Sequence, residues 1–243
     1  MLNGTGLLGH DNSTQSALIV PRPNHDNIYY IFTVDVEFGL NGMNYSEVNM
    51  DLDGGLGGIT SMKNINLMLE TTEKVTAIAN ANGEDIWVLG HPWDSDRFYT
   101  YTVTANGVNT VPVESSTPLL LDGFNQKVGQ LKISPKGDKV GMVSHRSGAY
   151  LFDFDNSTGM VSNMITVSTS DALYGLEFSP SGKLLYVTEQ KPFTLLQSLY
   201  QYDLNSANIA DSEVLIANEE GLGSSLQLAI DGKVYGALNG TSY

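Results

Sequence analysis

The sequence predicts an all-β protein, a β-propeller built from four-stranded antiparallel blades. Three observations support this fold class. A hairpin motif recurs along the chain, apolar residues alternate within its strands, and no segment has a convincing helical period. Strand and turn therefore follow one another with nothing else between them.

The recurring motif is a short strand, a tight turn that ends in glycine, and a second, more hydrophobic strand. It is written most clearly in LKISPKGDKVGMVSH and LEFSPSGKLLYVTE. The glycines that close the turns follow one another at intervals of about 45 to 54 residues, close to the spacing expected of propeller blades. These glycines are Gly83, Gly137, Gly182 and Gly232, and a looser first copy has Pro23-Asn24 at its turn.

Each strand of the repeat has its own pattern. In the first strand Leu176 and Phe178 flank Glu177, and this period of two predicts a strand with one dry face. The second strand, as in LLYVTE, is more hydrophobic and rich in β-branched and aromatic residues, which predicts packing on both faces. The third strand ends on an alternating aromatic pair, followed by a polar turn and a weaker fourth strand. The aromatic pairs are Tyr99 and Tyr101, Phe152 and Phe154, and Tyr200 and Tyr202.

The repeat predicts a single propeller domain over residues 1–243. Four complete blades are expected at about 13–70, 73–117, 127–169 and 172–218, with two strands of another blade in 221–243. About four and a half blades would leave a strand edge open, so we expect a partial propeller from a seven-bladed or similar parent with sequence missing at both ends. The alternative is a five-bladed ring in which TGLLGH adds an outer strand to the last blade.

Composition limits the classes of partner. The chain carries 12 basic and 27 acidic residues and a formal net charge of −15, so we expect no nucleic-acid binding. It has no cysteine, which excludes disulfides and thiolate metal sites. It has neither a secretory signal at its start nor an apolar run long enough for a membrane helix. We therefore expect no direct membrane insertion, and any targeting signal must lie outside this chain.

A resemblance to known propellers adds to this interpretation. FSPSGKLLYVTE is similar to the repeat of YVTN-type and lactonase-like propellers, whose blades carry a Ser-Pro-x-Gly-Lys turn before the second strand. NGTGLLGHDNSTQSALIVPRP, IYYIFTV, NYSEVNMDLDGGLG, FDFDNSTG and YGLEFSPSGKLLYV together resemble the propeller region of large secreted surface proteins of Bacteroidetes. Such proteins often carry a gliding-motility or type IX secretion sorting domain. The resemblance implies an extracellular or cell-surface location and no established catalytic motif.

The candidate site is the propeller face where the loops between second and third strands and the loops that join the blades gather around the channel. His91 and His145 fall at equivalent places in successive repeats, just after the second strand. The predicted ligand-binding residues are His91, Trp93, Asp94, Arg97, His145, Arg146, Glu189 and Lys191. The alternative is a structural role, in which each histidine forms a hydrogen bond to the backbone of a neighbouring blade and Trp93 is a hydrophobic plug over its blade.

Two functions remain open from the sequence. The first is a non-enzymatic scaffold or binding module for a protein or glycan, with no cofactor. The alternative is a lactonase-like or lyase-like enzyme in which His91, His145, Glu189 and Asp35 surround a divalent metal ion at the channel mouth. The run FDFDNSTG could pass for a calcium loop, but it lacks the spaced glycine and distal glutamate and better fits an Asx turn.

Overall fold

A computed structural model describes residues 1–190, 194, 196–220 and 225–237 of the chain. In these residues twenty strands form four sheets of four or five strands each and one two-stranded sheet, and every paired strand is antiparallel to its neighbour. The two helical turns of the described residues, Asp53–Gly55 and Ala210–Ser212, are three-residue 3-10 turns. None of these residues forms an apolar helix of the length that spans a membrane.

The sheets follow one another along the chain. Sheet 1 contains β1 (Ala17–Pro21), β2 (Ile28–Val34), β3 (Met43–Asn49), β4 (Gly58–Ile59) and β5 (Ile65–Met68). Sheet 2 contains β6 (Thr71–Ala79), β7 (Ile86–Pro92), β8 (Ser95–Thr104), β9 (Gly107–Val108) and β10 (Val113–Leu121). Sheet 3 contains β11 (Leu131–Ile133), β12 (Lys139–Ser144), β13 (Gly148–Asp155) and β14 (Met160–Ser168). Sheet 4 contains β15 (Leu173–Phe178), β16 (Leu184–Gln190), β17 (Leu196–Asp203) and β18 (Val214–Glu220), and sheet 5 contains β19 (Leu226–Leu228) and β20 (Val234–Gly236).

The first strands of the sheets surround a central channel. Strand β6 contacts both β1 and β11, and β15 contacts both β11 and β19. A cavity of about 590 Å³ lies between these strands and is lined by residues from all five sheets. Sheets arranged side by side around a channel, each with its first strand innermost, form a β-propeller, as the sequence predicts.

The predicted hairpin turns are confirmed. Gly83, Gly137, Gly182 and Gly232 all have a left-handed φ, between 66° and 77°. The N–H of each glycine donates to the carbonyl oxygen three residues earlier, at 2.8 to 3.0 Å. In the looser first copy Asn24 takes the left-handed conformation, with φ 60°. These turns lie together at one end of the channel, which we call the turn end.

The core lies between neighbouring sheets. The second strands of sheets 2 and 3 are buried on both faces, as in Val88 and Leu89 of β7, whereas one face of β2 and of β16 is only half-buried. Each aromatic pair of the third strand places one or both rings in the core, so Tyr101 and Tyr202 are fully buried whereas Tyr99 and Tyr200 are half-buried. Burial of these large side chains is the main source of stability in a chain without disulfides.

The polar face of the first strands faces the channel and not bulk solvent. Lys132 and Glu177, which alternate with core residues in β11 and β15, are both buried. Their side chains form an ion pair at 3.0 Å, and Lys132 Nζ also donates to Gln227 Oε1 at 2.8 Å. Period two therefore separates a dry core face from an enclosed polar face in this fold.

The N-terminal segment lies against sheet 1. The carbonyl oxygens of Thr5 and Gly6 accept hydrogen bonds from Lys63 Nζ and Asn64 Nδ2. The alternative in which TGLLGH adds an outer strand to the last sheet is therefore wrong for the described structure, where β19 pairs only with β20. The segment TGLLGH lies instead against sheet 1, the sheet nearest to it in sequence.

The run FDFDNSTG forms the expected Asx turn. Asp155 Oδ1 accepts hydrogen bonds from the N–H of Ser157 at 2.9 Å and from its hydroxyl at 2.6 Å. The carboxylate is thus occupied by its own turn between β13 and β14.

Candidate functional site

The end of the channel opposite the turns carries a second cavity, which we call the mouth. Its volume is about 400 Å³. It is lined by Asn12, Val36, Glu37, Phe38, Glu73, Asn125, Val128 and Tyr174. These residues come from the segment before β1, the β2–β3 loop, the start of β6, the β10–β11 loop and the start of β15, so several sheets contribute to one opening.

Glu73 is the buried centre of the mouth. Its Oε2 accepts hydrogen bonds from the N–H of Thr14 at 2.8 Å and from the Thr14 hydroxyl at 2.7 Å. Its Oε1 accepts the N–H of Glu37 at 2.8 Å. One carboxylate thus joins the N-terminal segment and the β2–β3 loop to strand β6, which fixes the relative positions of the lining segments.

Glu37 is the half-exposed carboxylate of the mouth. Its Oε1 accepts the N–H of Asn125 at 2.7 Å, which connects the β2–β3 loop to the β10–β11 loop. Burial raises the pKa of Glu37 above its ordinary value, and the nearby charge of Glu73 adds to the effect. A half-exposed carboxyl group with a raised pKa can accept a hydrogen bond from a ligand or exchange a proton with it.

Two lysines lie behind these carboxylates. Lys74 is fully buried, and its Nζ donates to the carbonyl oxygens of Lys127 at 2.7 Å and Val128 at 3.0 Å. Burial lowers the pKa of Lys74 from 10.5 to about 7, because carbonyl dipoles replace only part of its lost hydration. Lys127 Nζ lies 4.6 Å from the centre of the Trp93 ring, and burial lowers the pKa of this lysine too.

His91 is sealed in the core of sheet 2. The ring is fully buried, packs edge-on against Phe98 at 4.8 Å between centroids, and its Nδ1 lies 2.7 Å from the carbonyl oxygen of Pro92. Burial lowers the pKa of His91 from 6.5 to about 4. The imidazole is therefore neutral at pH 7, with Nδ1 carrying the proton that it donates to Pro92.

His145 and Glu189 reach the junction between sheets 3 and 4. His145 is half-buried, and its Nδ1 lies 3.2 Å from the carbonyl oxygen of Leu173, at the start of the neighbouring sheet. Glu189 accepts the hydroxyl of Ser170 at 2.5 Å and that of Tyr200 at 3.1 Å. His145 thus has the backbone contact with a neighbouring blade that is expected if its role is structural.

The other predicted site residues have different surroundings. Asp35 is buried, and its two oxygens accept the N–H groups of Val36 and Asn41, so it organises the β2–β3 loop. Asp94 is exposed after β7 and has a left-handed φ of 50°. The Arg97 side chain, on β8, pairs with Glu114 on β10, the outermost strand of sheet 2 and the strand farthest from the channel.

Two more predicted residues follow the second strands of sheets 3 and 4. Arg146 has a left-handed φ of 64°, and its N–H donates to the carbonyl oxygen of Asp171. Lys191 lies outside the described residues.

No metal centre is apparent in the described part of the chain. Nowhere in it do three or more His, Asp or Glu side chains gather as ligands for an ion. The predicted metal set of His91, His145, Glu189 and Asp35 makes separate contacts with Pro92, Leu173, Tyr200 and the β2–β3 loop.

Sequence reasoning missed most of the mouth. Glu73 and Lys74 sit side by side in the apolar context TTEKVTA, and a charged pair inside a first strand is the signal that marks them. Phe38 and Phe124 occur in similar glycine-containing loops, EFGL and DGFN, where an aromatic residue is uncommon. Their proximity follows from the packing of sheets 1, 2 and 3 side by side around the channel and could not be derived from spacing.

Comparison with known proteins gives similarity in structure only. No protein-family model matches the chain, and no curated protein matches it. A candidate 6-phosphogluconolactonase from Bacteroides uniformis is 14% identical, with a TM-score of 0.50 over 90% of this chain and 77% of that one. A second such candidate, from Bacteroides fragilis, is 13% identical, with a TM-score of 0.50 over 89% and 71%. A periplasmic gluconolactonase from Pseudomonas aeruginosa is 16% identical, with a TM-score of 0.53 over 83% and 53%.

These neighbours agree with the expected likeness to lactonase-like propellers, and they give no support for the expected sorting-domain context of Bacteroidetes surface proteins. At such low identity the likeness extends to the fold alone. The chain is an all-β protein with the β-propeller fold.

Proposed function

We propose that the protein is a glycan-binding β-propeller whose ligand enters the mouth. The observation that carries the proposal is the lining of this cavity, where a half-exposed carboxylate, two asparagine side chains and a tyrosine ring surround about 400 Å³. Fixed acceptors and donors next to an aromatic ring suit a sugar, whose hydroxyl groups need partners and whose ring carries an apolar C–H face.

The charge of the mouth favours a neutral ligand. Lys74 and Lys127 lie near Glu37 and Glu73 and offset part of their negative charge, and both lysines are held by backbone carbonyls or by the Trp93 ring behind the cavity. The whole chain carries a net charge of −15, which disfavours approach of a polyanion. A neutral glycan therefore fits better than an acidic polysaccharide.

Binding of neutral mono- and oligosaccharides, measured by titration calorimetry, tests this proposal. We expect Glu37→Gln to weaken binding by about tenfold, because a hydrogen bond to a charged acceptor is replaced by a weaker one. Glu84→Gln is the matched control, since Glu84 is an exposed glutamate in a hairpin at the turn end. Failure of the wild-type chain to bind any of the sugars would overturn the proposal.

A lactonase-like hydrolase is the second candidate, and the raised pKa of Glu37 beside Glu73 favours it. In this function Glu37 takes a proton from a water molecule that attacks the lactone carbonyl, and then returns it to the ring oxygen as the C–O bond breaks. Because neighbours are named as a gluconolactonase and as candidate 6-phosphogluconolactonases, gluconolactone and its 6-phosphate are the first substrates to test.

The two candidate functions separate in a pH-stat assay. If the protein is the hydrolase, Glu37→Gln should lower kcat by about a hundredfold or more while Glu84→Gln leaves it unchanged. If gluconolactone and its 6-phosphate are hydrolysed no faster than in the absence of protein, the hydrolase is excluded and glycan binding is the remaining candidate function. Elemental analysis of the purified protein tests the divalent ion of the enzyme alternative in the same preparation.

The proposed location follows from the proposed ligand. A glycan-binding propeller suits the extracellular or cell-surface setting expected from the sequence, and one structural neighbour is a periplasmic protein by name. Fractionation of the native host and detection with an antibody tests this location.

A further inference from the structure

Two aromatic side chains stand exposed at the rim of the mouth. Phe38, in the β2–β3 loop, is 75% exposed, and Phe124, in the β10–β11 loop, is 65% exposed. Their rings stack on each other with 6.2 Å between centroids and 30° between planes. Large apolar side chains that remain in water after folding contribute little to stability, so a contiguous exposed pair points to binding.

The loop that carries Phe38 adopts a backbone conformation that is unfavourable for phenylalanine. Phe38 has a left-handed φ of 71°, and Asn125, next to Phe124, has a φ of 62°. Such a conformation is a genuine outlier for a bulky residue such as phenylalanine. Strain of this kind persists only where the surroundings determine it, and it concentrates at ligand sites.

Buried and half-buried carboxylates hold this conformation in place. Asp35 accepts the N–H groups of Val36 and Asn41 at 2.9 Å each, which closes the β2–β3 loop on itself. Glu37 accepts the N–H of Asn125 at 2.7 Å, which joins the two loops directly beside the two rings. The rings are therefore positioned before any ligand arrives, and a ligand that stacks on them loses less free energy to ordering of the site.

We propose that Phe38 and Phe124 form a stacking platform that extends the mouth, so that the ligand is an oligosaccharide of at least two rings. This inference rests on the proposed glycan-binding function. Phe38 lines the mouth and also stacks on Phe124, so the platform continues directly from the cavity. One sugar ring occupies the cavity with its hydroxyl groups towards Glu37 and Asn125, and the next ring lies with its C–H face on the platform.

A length series tests the platform. Calorimetry with neutral β-linked gluco-, xylo- and manno-oligosaccharides, from the single ring to the hexamer, should show affinity rising by about tenfold or more from the first ring to the second and third, and little beyond. Phe124→Ala should abolish this gain, so that the longer oligosaccharides bind no more tightly than the single ring.

Three further variants separate ring stacking from general hydrophobicity and from folding defects. Phe124→Tyr keeps the flat face and should keep the gain, whereas Phe124→Leu keeps apolar area without a ring and should lose it. Leu56→Ala is the matched control, since Leu56 is 72% exposed after the 3-10 turn of sheet 1 and contributes nothing to the mouth. Thermal melts of all variants identify any folding defect. If Phe124→Ala is destabilised, the platform is tested by comparing the length series of Phe124→Tyr with that of Phe124→Leu.

The outcomes distinguish failure of the platform from failure of the function. A wild-type chain that binds single sugars as tightly as longer ones, or a Phe124→Leu variant with an unchanged length series, overturns the platform and leaves glycan binding in place. A wild-type chain that binds no sugar of any length overturns both.

Discussion

The two ends of the channel each contain a buried lysine, and the two lysines have different partners. At the turn end Lys132 is paired with the Glu177 carboxylate at 3.0 Å. At the mouth end Lys74 donates to backbone carbonyl oxygens, and the pKa of Lys74 falls to about 7. The turn end repeats one geometry from sheet to sheet, whereas each loop at the mouth is different. The comparison indicates that the regular end stabilises the ring and that the irregular end is free to carry function.

The largest expected effect is at the turn end. Lys132→Met should leave Glu177 buried without a cation and lower the free energy of unfolding by about 3 kcal/mol or more. Lys136→Met, which changes an exposed lysine in the adjacent hairpin turn, should have almost no effect. Urea denaturation of the two variants measures the difference. Equal stability would mean that the ion pair does not support the ring.

One glycine at each end of the channel tests how closely the backbone is packed there. Gly42 has a φ of 66°, and a Cβ there would overlap the backbone carbonyl oxygen of Met68. Gly42→Ala should therefore cost about 3 kcal/mol, from backbone strain and overpacking together. Gly182 also has a φ of 66°, but the nearest atoms to its Cβ are the Lys136 side chain at 3.7 Å, so Gly182→Ala should cost only about 1 kcal/mol.

Urea midpoints for the two glycine variants give these costs. Similar midpoints would show that the β2–β3 loop adjusts as freely as a hairpin turn, which would contradict the rigid mouth described above.

The pH dependence of stability should report Lys74. Between pH 7 and 10.5 the unfolded chain holds a proton on this lysine that the folded chain has released. Stability should therefore rise with pH across this window and be lost as the pH falls towards 7. Lys74→Met should flatten the slope, whatever it does to stability at a single pH. An unchanged slope in chemical denaturation would show that the lysine keeps its ordinary pKa.

His91 should give a smaller effect on the acid side. The unfolded chain takes up a proton on this ring near pH 6.5, whereas the folded chain does so only near pH 4. Stability should therefore decrease as the pH falls from 6.5 to 4, and His91→Leu should remove that part of the decrease. An unchanged acid slope in His91→Leu would contradict the buried, neutral ring.

Much of the fold follows from local patterns in the sequence. The left-handed φ at Gly83, Gly137 and Gly182 follows from turn chemistry, and burial of Val88 and Leu89 follows from unbroken hydrophobicity. The site follows such patterns less well, because equivalent places in the repeat have different surroundings. His91 and His145 occur at the same point after their turns, yet one packs on Phe98 and the other bonds to Leu173.

The strands, the turns and the repeated four-stranded sheet follow from the sequence alone, because these depend on alternation and on residues that tolerate a particular φ within a few positions. The meeting of Glu37, Glu73 and Asn125 at one mouth and the stacking of Phe38 on Phe124 follow instead from tertiary packing. These contacts join residues about 36 to 88 positions apart, and a side chain's neighbours at that separation depend on how the sheets pack around the channel.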